Sequence, residues 1–263
     1  MSATAPYDSG SSGCTAQPIG RYAPVTLTGD VELNPVPASL SVYHCNARSL
    51  VKELPRLPAL AKALGRHDVV GFTETWLTCR VADCEIQRAF ENHTLFRRDR
   101  GRRRGGGVLC AVRSSLMPRP LPSPPGVEML VVLLAKLGVT VAIVYRPPKD
   151  KTALRKMIDV LANVPLLIIV GDFNIPEIAW KCAGKAASPI VAIRSSRAKC
   201  LLKACSQMGL EQWVSEPTRG KNTLDLVLTR HVQCNNIIVR NSLLTTDHKE
   251  TIADIEVPDS SMD

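Results

Sequence analysis

Residues 164–174 read VPLLIIVGDFN. The aliphatic run, rich in Ile and Val and stopped by Gly171, reads as a buried strand over 164–171. Asp172 and Asn174 follow at once. Loops at strand ends are where α/β scaffolds carry their functional groups. The fold reading therefore starts from a buried strand that delivers two polar side chains to one edge.

The same unit recurs along the chain. SLSVYHCN (39–46) ends on Asn46, and DVVGFT (68–73) is followed by Glu74. GVTVAIVYR (138–146) closes on Tyr145 and Arg146. Asp225 lies inside NTLDLVL, and Asp247 and His248 follow 243–246. Further strand candidates are HTLFRR within 92–98, GGVLCAVR (106–113) and EMLVVLLA (128–135), separated by Gly or Pro. Short strands are expected at 210–214, 224–228, 237–240 and 251–257. Helical spacing marks 49–65, with Leu50, Leu54, Leu57, Leu60 and Leu64 before Gly65, and also 151–163 and 197–208. Strands outnumber helices and alternate with them irregularly. That pattern suggests two packed sheets with helices outside rather than a simple doubly wound sheet. There is no internal repeat.

A chain of 263 residues can bury a large core without staples. At 45% hydrophobic and 22% charged, wholesale disorder is excluded. The net charge of +9 favours a polyanionic partner, nucleic acid first and an anionic membrane second. No apolar run approaches the roughly 20 residues needed to span a bilayer, and no signal peptide is visible. Nine cysteines without a Cys-x-x-Cys pair argue against a zinc site or a disulfide framework, and for a reducing compartment.

The polar residues at strand ends support one coherent chemistry. Glu74, Asp247 and Asn46 offer hard oxygen ligands, which suit Mg²⁺, with Mn²⁺ as a substitute. The unperturbed pKa of histidine lies near neutrality, so His248 suits a general base, with Asp225 as its orienting carboxylate. Asp172 and Asn174 are placed to hold an attacking water and a phosphate oxygen. Together these parts describe metal-assisted hydrolysis of a phosphodiester.

Asn46 in HCNARSL, Glu74 in TETWL, Tyr145 in VYRPP, GDFN (171–174), LDLV (224–227) and TDH (246–248) stand in a telling order. It resembles that of the endonuclease/exonuclease/phosphatase superfamily. More closely, residues 40–257 look like the apurinic-endonuclease-like domain of non-LTR (LINE-type) retrotransposons. LFRRDRGRRRGGGV, GDFNIPEIAW and EPTRGKNTLDLVLT are similar to its CR1/L2-type branch. The resemblance implies a four-layer α/β sandwich, two mixed sheets face to face between helices. It implies nicking of duplex DNA that leaves a 3′ hydroxyl. Glu74 then matches the principal metal ligand, with Asn46 and Asp247 in the metal and phosphate site. Tyr145 matches the tyrosine that meets the scissile phosphate, and Asp172 the acid or water-activating aspartate. Asn174 matches the residue that orients water and phosphate, His248 the catalytic histidine, and Asp225 its support. Thr246 stands where the pattern usually has Ser, and both carry a hydroxyl. The alternatives are the same fold acting on RNA or a phospholipid, and a decayed module that only binds nucleic acid.

Outside this domain, residues 1–39 have the Ser, Gly, Pro and Thr texture of a disordered tail. Within it GDVELNPVP (29–37) resembles a 2A ribosome-skipping peptide, with Val36 in place of the glycine that skipping needs. Residues 258–263 are expected as a second tail. The chain ends six residues past Val257, which leaves no room for a polymerase. The expectation is an endonuclease-only product, a fragment or a truncated element copy. A DNA substrate implies an intracellular, nuclear setting and no membrane partner.

Weaker signals surround the motifs. Residues 96–107 hold six arginines and one aspartate, a pattern equally suited to a phosphate-gripping loop and a solvated hairpin turn. Arg102, Arg103 and Arg104 are candidate backbone contacts, as is Arg146 beside Tyr145. Trp76, Trp180 and Trp213 favour buried packing over base stacking. His44, next to Cys45 in a strand, reads as structural.

Overall fold

The computed structural model describes residues 39–101, 104–190 and 195–258. The expected tail at 1–38, its 2A-like string, residues 259–263, and Arg102 and Arg103 lie outside the described residues. Ser39 already opens a strand.

In chain order the elements are β1 (Ser39–Asn46), α1 (Leu57–Leu64), β2 (Val69–Thr73), α2 (Asp83–Gln87), β3 (His93–Arg98) and β4 (Val108–Arg113). Then come β5 (Pro118–Leu121), β6 (Glu128–Leu134), β7 (Val139–Tyr145), α3 (Ala153–Leu161), β8 (Leu167–Asp172), β9 (Ala179–Ala183) and β10 (Ala186–Ile190). The chain closes with α4 (Ser196–Met208), β11 (Glu211–Gln212), β12 (Asp225–Arg230), β13 (Gln233–Asn241) and β14 (Lys249–Glu256). One six-stranded sheet has the order β13-β14-β1-β2-β4-β3 and the other β11-β12-β8-β7-β6-β5. Each sheet has one parallel pair, β1 with β2 and β7 with β8, and is otherwise antiparallel. Both sheets are therefore mixed, as expected.

The layers follow from what each face buries. Val42, Val69 and Ile255 of the first sheet meet Val141, Ile143 and Val170 of the second in a central core. The outer face of the first sheet packs Tyr43, Val70 and Phe72 against Leu57 and Leu64 of α1. The outer face of the second packs Met129, Val144 and Ile169 against Met157 of α3 and Leu201 of α4. Each such aliphatic side chain contributes about 1.5–3 kcal/mol by leaving water. The result is helix, sheet, sheet, helix. Gly71 lets the sheets close, because a Cβ there would stand 2.6 Å from Ile143 Cδ1. Arg230 donates to the carbonyls of Leu161 and Ala162 at the end of α3 and of Met208 at the end of α4, placing a cation at two helix C-termini.

Three expectations about elements are corrected. Residues 49–65 are not one helix: Val51–Glu53 forms a 3₁₀ turn, and α1 begins only at Leu57. Pro55 and Pro58 explain the break, since proline is tolerated in a first helical turn but not in the interior. The strand expected at 210–214 is only the two residues of β11. The helix α2, the strand β5 and the β9–β10 hairpin were not legible in the sequence. β5 is a sheet-edge strand that holds Pro118 and Pro120, the position where proline costs no ladder bond.

Candidate active site

The expected site residues converge at one end of the sandwich. Asn46 ends β1, Tyr145 ends β7, Asp172 ends β8 and Asp225 begins β12. Glu74 directly follows β2, while Asp247 and His248 directly precede β14. The register sets Tyr145 opposite Asp172, and Asp172 opposite Asp225. Gly171 makes this alignment possible, since a Cβ there would lie 1.9 Å from the Val144 carbonyl oxygen.

Asn46 is the hub. Its amide nitrogen donates to Glu74 Oε1 at 3.1 Å and to Asp172 Oδ2 at 2.7 Å. Its own Oδ1 accepts from the Arg48 backbone N–H at 3.0 Å. Asn46 thus meets the carboxylates as a donor, whereas the sequence reading had it as an oxygen ligand. Asp172 is fully buried, and its Oδ1 accepts from the Asn174 N–H at 2.9 Å. The Asn174 side chain donates to the Arg146 carbonyl at 3.0 Å. Burial, and then the nearby Asp225 charge, push the Asp172 carboxyl well above its ordinary range.

His248 Nδ1–H donates to Asp225 Oδ2 at 2.8 Å, and both side chains are fully buried. Burial alone would lower the His248 pKa, but the hydrogen bond and charge of Asp225 outweigh it and the net shift is upward. Thr218 Oγ1 accepts the backbone N–H groups of Leu224 and Asp225, which fixes the start of β12. Thr246 Oγ1 donates to the Asn46 carbonyl at 2.9 Å and accepts from His248 N at 3.3 Å. The hydroxyl that Thr shares with Ser is therefore the group in use. His248 Nε2 and Asp225 Oδ1 are buried without a hydrogen-bond partner among the described residues. His44, read as structural, has its Nδ1 3.9 Å from Asp225 Oδ1, and that Nδ1 is equally unpartnered.

Glu74 adopts a left-handed backbone (φ 48), as do Arg48 (φ 41), Trp76 (φ 54) and Asn174 (φ 49). Such strain in non-glycine residues gathers at functional rims. It is held by Ser49 N and Leu50 N, which donate to the carbonyls of Glu74 and Thr75, and by Trp76 N, which donates to Gly106. Glu74 Oε2 accepts from Trp76 Nε1 at 3.2 Å. Burial, then the charges of Glu74 and Asp172, raise the Tyr145 pKa.

Asp247 is engaged differently from expectation. Its Oδ2 accepts from Arg48 NH1 at 2.9 Å, from Arg219 Nε at 2.9 Å and from Arg219 NH2 at 2.8 Å. Burial would raise its pKa, but the two arginine contacts outweigh it and hold it below the usual carboxylate range. An oxygen already neutralised by two guanidinium groups is a poor metal ligand. The described residues whose ligand atoms lie within 4.8 Å of one another are instead Asp172, Asp225 and His248. The hard oxygens of Glu74 and Asp172, tied through one Asn46 amide, fit a small divalent cation.

The arginine expectations divide. Arg146 is corrected: it is 1% exposed and donates to the carbonyls of Phe173, Asn174 and Asp150, so it braces the GDFN turn from inside and meets no solvent. Arg97 pairs with Asp83 and Asp99, and Arg100 with Glu128, which fastens the β3–β4 hairpin. Arg104 is exposed and stacks 5.1 Å over the half-buried Trp76 ring. Trp180 and Trp213 are buried, as expected. Sequence reasoning missed Arg48 and Arg219, although Arg48 lies only two residues beyond Asn46.

Residues 139–252 match the family described as "Endonuclease-reverse transcriptase". A search of curated protein sequences gives no match. Among solved structures, the endonuclease domain of TRAS1, a telomere-specific non-LTR retrotransposon, superposes with a TM-score of 0.60 at 14% identity, over 83% of this chain and 99% of that one. The AP endonuclease LMAP from Leishmania major gives 0.64 at 15% identity, over 84% and 89%. The 3′ phosphatase NExo from Neisseria, bound to product DNA hairpin, gives 0.57 at 16% identity, over 81% and 98%. Among the described residues no helix is long and apolar enough to cross a membrane. The chain therefore shares the fold of these nucleases, and its residues 139–252 match the family described as "Endonuclease-reverse transcriptase".

Proposed function

We propose that the protein is a metal-dependent phosphodiesterase that nicks duplex DNA and leaves a 3′ hydroxyl. The observation that carries this reading is the buried His248–Asp225 pair beside Asp172, with the unpartnered His248 Nε2 at its head. Residues 40–257 constitute the catalytic domain in this reading. The retrotransposon relative is an endonuclease domain, and the Neisseria relative is a phosphatase bound to DNA. Both support a nucleic-acid substrate here.

Each group has a task. Asp225 holds His248 in the tautomer that presents Nε2 toward the substrate. His248 and Asp172, both shifted upward by their surroundings, share the transfer of the proton from the attacking water. Asn174 orients that water and a phosphate oxygen. The Tyr145 hydroxyl, whose proton is held firmly, donates to the scissile phosphate. Glu74, aligned by Asn46, would hold a Mg²⁺ or Mn²⁺ ion with the help of Asp172. Such an ion, when bound, would supply Lewis-acid stabilisation of negative charge. Asp247 serves as the anchor for two arginines.

The test is conversion of supercoiled plasmid to open circle, with Mg²⁺ and with EDTA, by wild type and His248→Ala. Metal-dependent conversion that the variant lacks is the expected result. Wild-type conversion rates in His248→Ala overturn the assignment.

A further inference from the structure

Asp247 Oδ2 fixes two arginines from different loops. Arg48 lies just past β1, and Arg219 lies in the turn that Thr218, Arg219 and Asn222 close with backbone hydrogen bonds. Asp247 takes one donor of Arg48 and two of Arg219. A guanidinium carries five N–H donors. The remaining ones meet no acceptor among the described residues, and the side chains are 43% and 39% exposed.

Asp247 also separates two hollows. One, of about 630 Å³, is lined by Arg219, Arg197 and Asn174. The other, of about 380 Å³, is lined by Arg48, Lys52 and Thr246. Arg197 is spent on Glu177, and Lys52 on the Thr245 carbonyl. Arg48 and Arg219 thus leave one uncompensated positive charge on the ridge, beside the catalytic end. Exposed ion pairs contribute little stability, so two cations on one carboxylate are not explained by folding.

We infer that Arg48 and Arg219 are two phosphate-binding subsites, one in each hollow, which grip a phosphodiester chain on both sides of the scissile bond. This rests on the nuclease reading and deepens it. A chain gripped on both sides is cut internally, so the substrate is a continuous nucleic-acid strand, not a terminal phosphate or a lipid headgroup. Asp247 sets the spacing between the two guanidinium groups. Arginine suits the role because its planar fork remains a bidentate phosphate donor after one edge is committed.

The experiment is equilibrium binding of the full chain to an uncut duplex oligonucleotide in EDTA over a range of salt. Wild type, Arg48→Ala, Arg219→Ala and the double variant are compared, with thermal melting as the folding control. Each phosphate contact adds roughly 0.9 to the slope of log K against log salt. Each single variant is expected to lower the slope by about one and the double variant by about two, with affinity down about tenfold per arginine. Arg48→Lys and Arg219→Lys, which keep the charge, restore the slope. Unchanged slopes in folded Ala variants overturn the subsites and leave the nuclease reading standing. A wild type without salt-dependent duplex binding overturns both.

Discussion

Asp172 and Asp225 are register partners across the antiparallel β8–β12 pair, and both carboxylates are fully buried. Two like charges placed together in a low-dielectric interior cannot both ionise at ordinary cost. The chain meets the problem with donors: Asn46 and Asn174 N–H on Asp172, and His248 on Asp225. The remaining strain appears as the raised pKa of Asp172.

That strain predicts a trade between stability and activity. A carboxyl whose folded pKa is raised favours folding below its unfolded pKa, and that advantage is lost as pH rises. At pH 7 in EDTA, Asp172→Asn removes a carboxyl that has to take up a proton to be buried. We expect its Tm to be unchanged or raised by a few degrees, and its nicking rate to fall about 10³-fold. A lowered Tm with retained nicking contradicts the account.

His44 Nδ1 faces the one Asp225 oxygen that His248 does not use, at 3.9 Å. We assign it to positioning Asp225. His44→Leu should lower kcat about tenfold with little change in KM, and His44→Asn, which restores a donor, should recover most of the loss. It should also shift the low-field NMR signal of the His248 Nδ1 proton. Equal activity of wild type and His44→Leu argues that His44 only fills space.

Acid should destabilise the protein through its buried neutral histidines. Burial pushes His44 and His67 down to about 4, and it lowers His93 as well. His67 Nε2 accepts from Arg66 Nε at 3.3 Å, so a proton there would face a guanidinium. Groups with depressed pKa values contribute stability above the unfolded value of 6.5, and it is lost as pH falls toward 4. For His44 the loss is about 3 kcal/mol. His248, shifted upward, acts in the opposite sense: its contribution is complete below 6.5 and declines above. Denaturant midpoints measured from pH 7 to pH 4.5 should fall steeply. A flat profile contradicts the neutral buried histidines.

Arg146 separates bracing from binding. Arg146→Ala leaves the buried carbonyls of Phe173 and Asn174 without their donor, and should cost about 2–4 kcal/mol of stability. The salt slope of duplex binding should stay at the wild-type value. A reduced slope restores Arg146 to the interface.

Strand ends were legible because burial writes itself as apolar runs, and the polar residue after each run marks one edge of a sheet. Asn46, Glu74, Tyr145, Asp172, Asp225 and His248 meet because the six strands that carry them lie side by side or face to face. Partner choice was not legible. No spacing rule says that Asp247 turns to Arg48 and Arg219, or that Arg146 turns inward beneath GDFN. Those outcomes depend on loop backbones with left-handed residues at Arg48, Glu74 and Asn174. His44 looked structural because its target, Asp225, lies 181 residues away in sequence, beyond any local pattern. The prolines at 55, 58, 118 and 120 reshaped elements that hydrophobic spacing alone had drawn too long or left out.

The most direct test is cleavage of a duplex oligonucleotide labelled on one strand, under single-turnover conditions, by wild type and Glu74→Gln, with Mg²⁺ and with EDTA. The account predicts an internal cut that needs Mg²⁺, leaves an end a polymerase can extend, and is lost in the variant. Cleavage that persists in EDTA, or in Glu74→Gln at the wild-type rate, contradicts it.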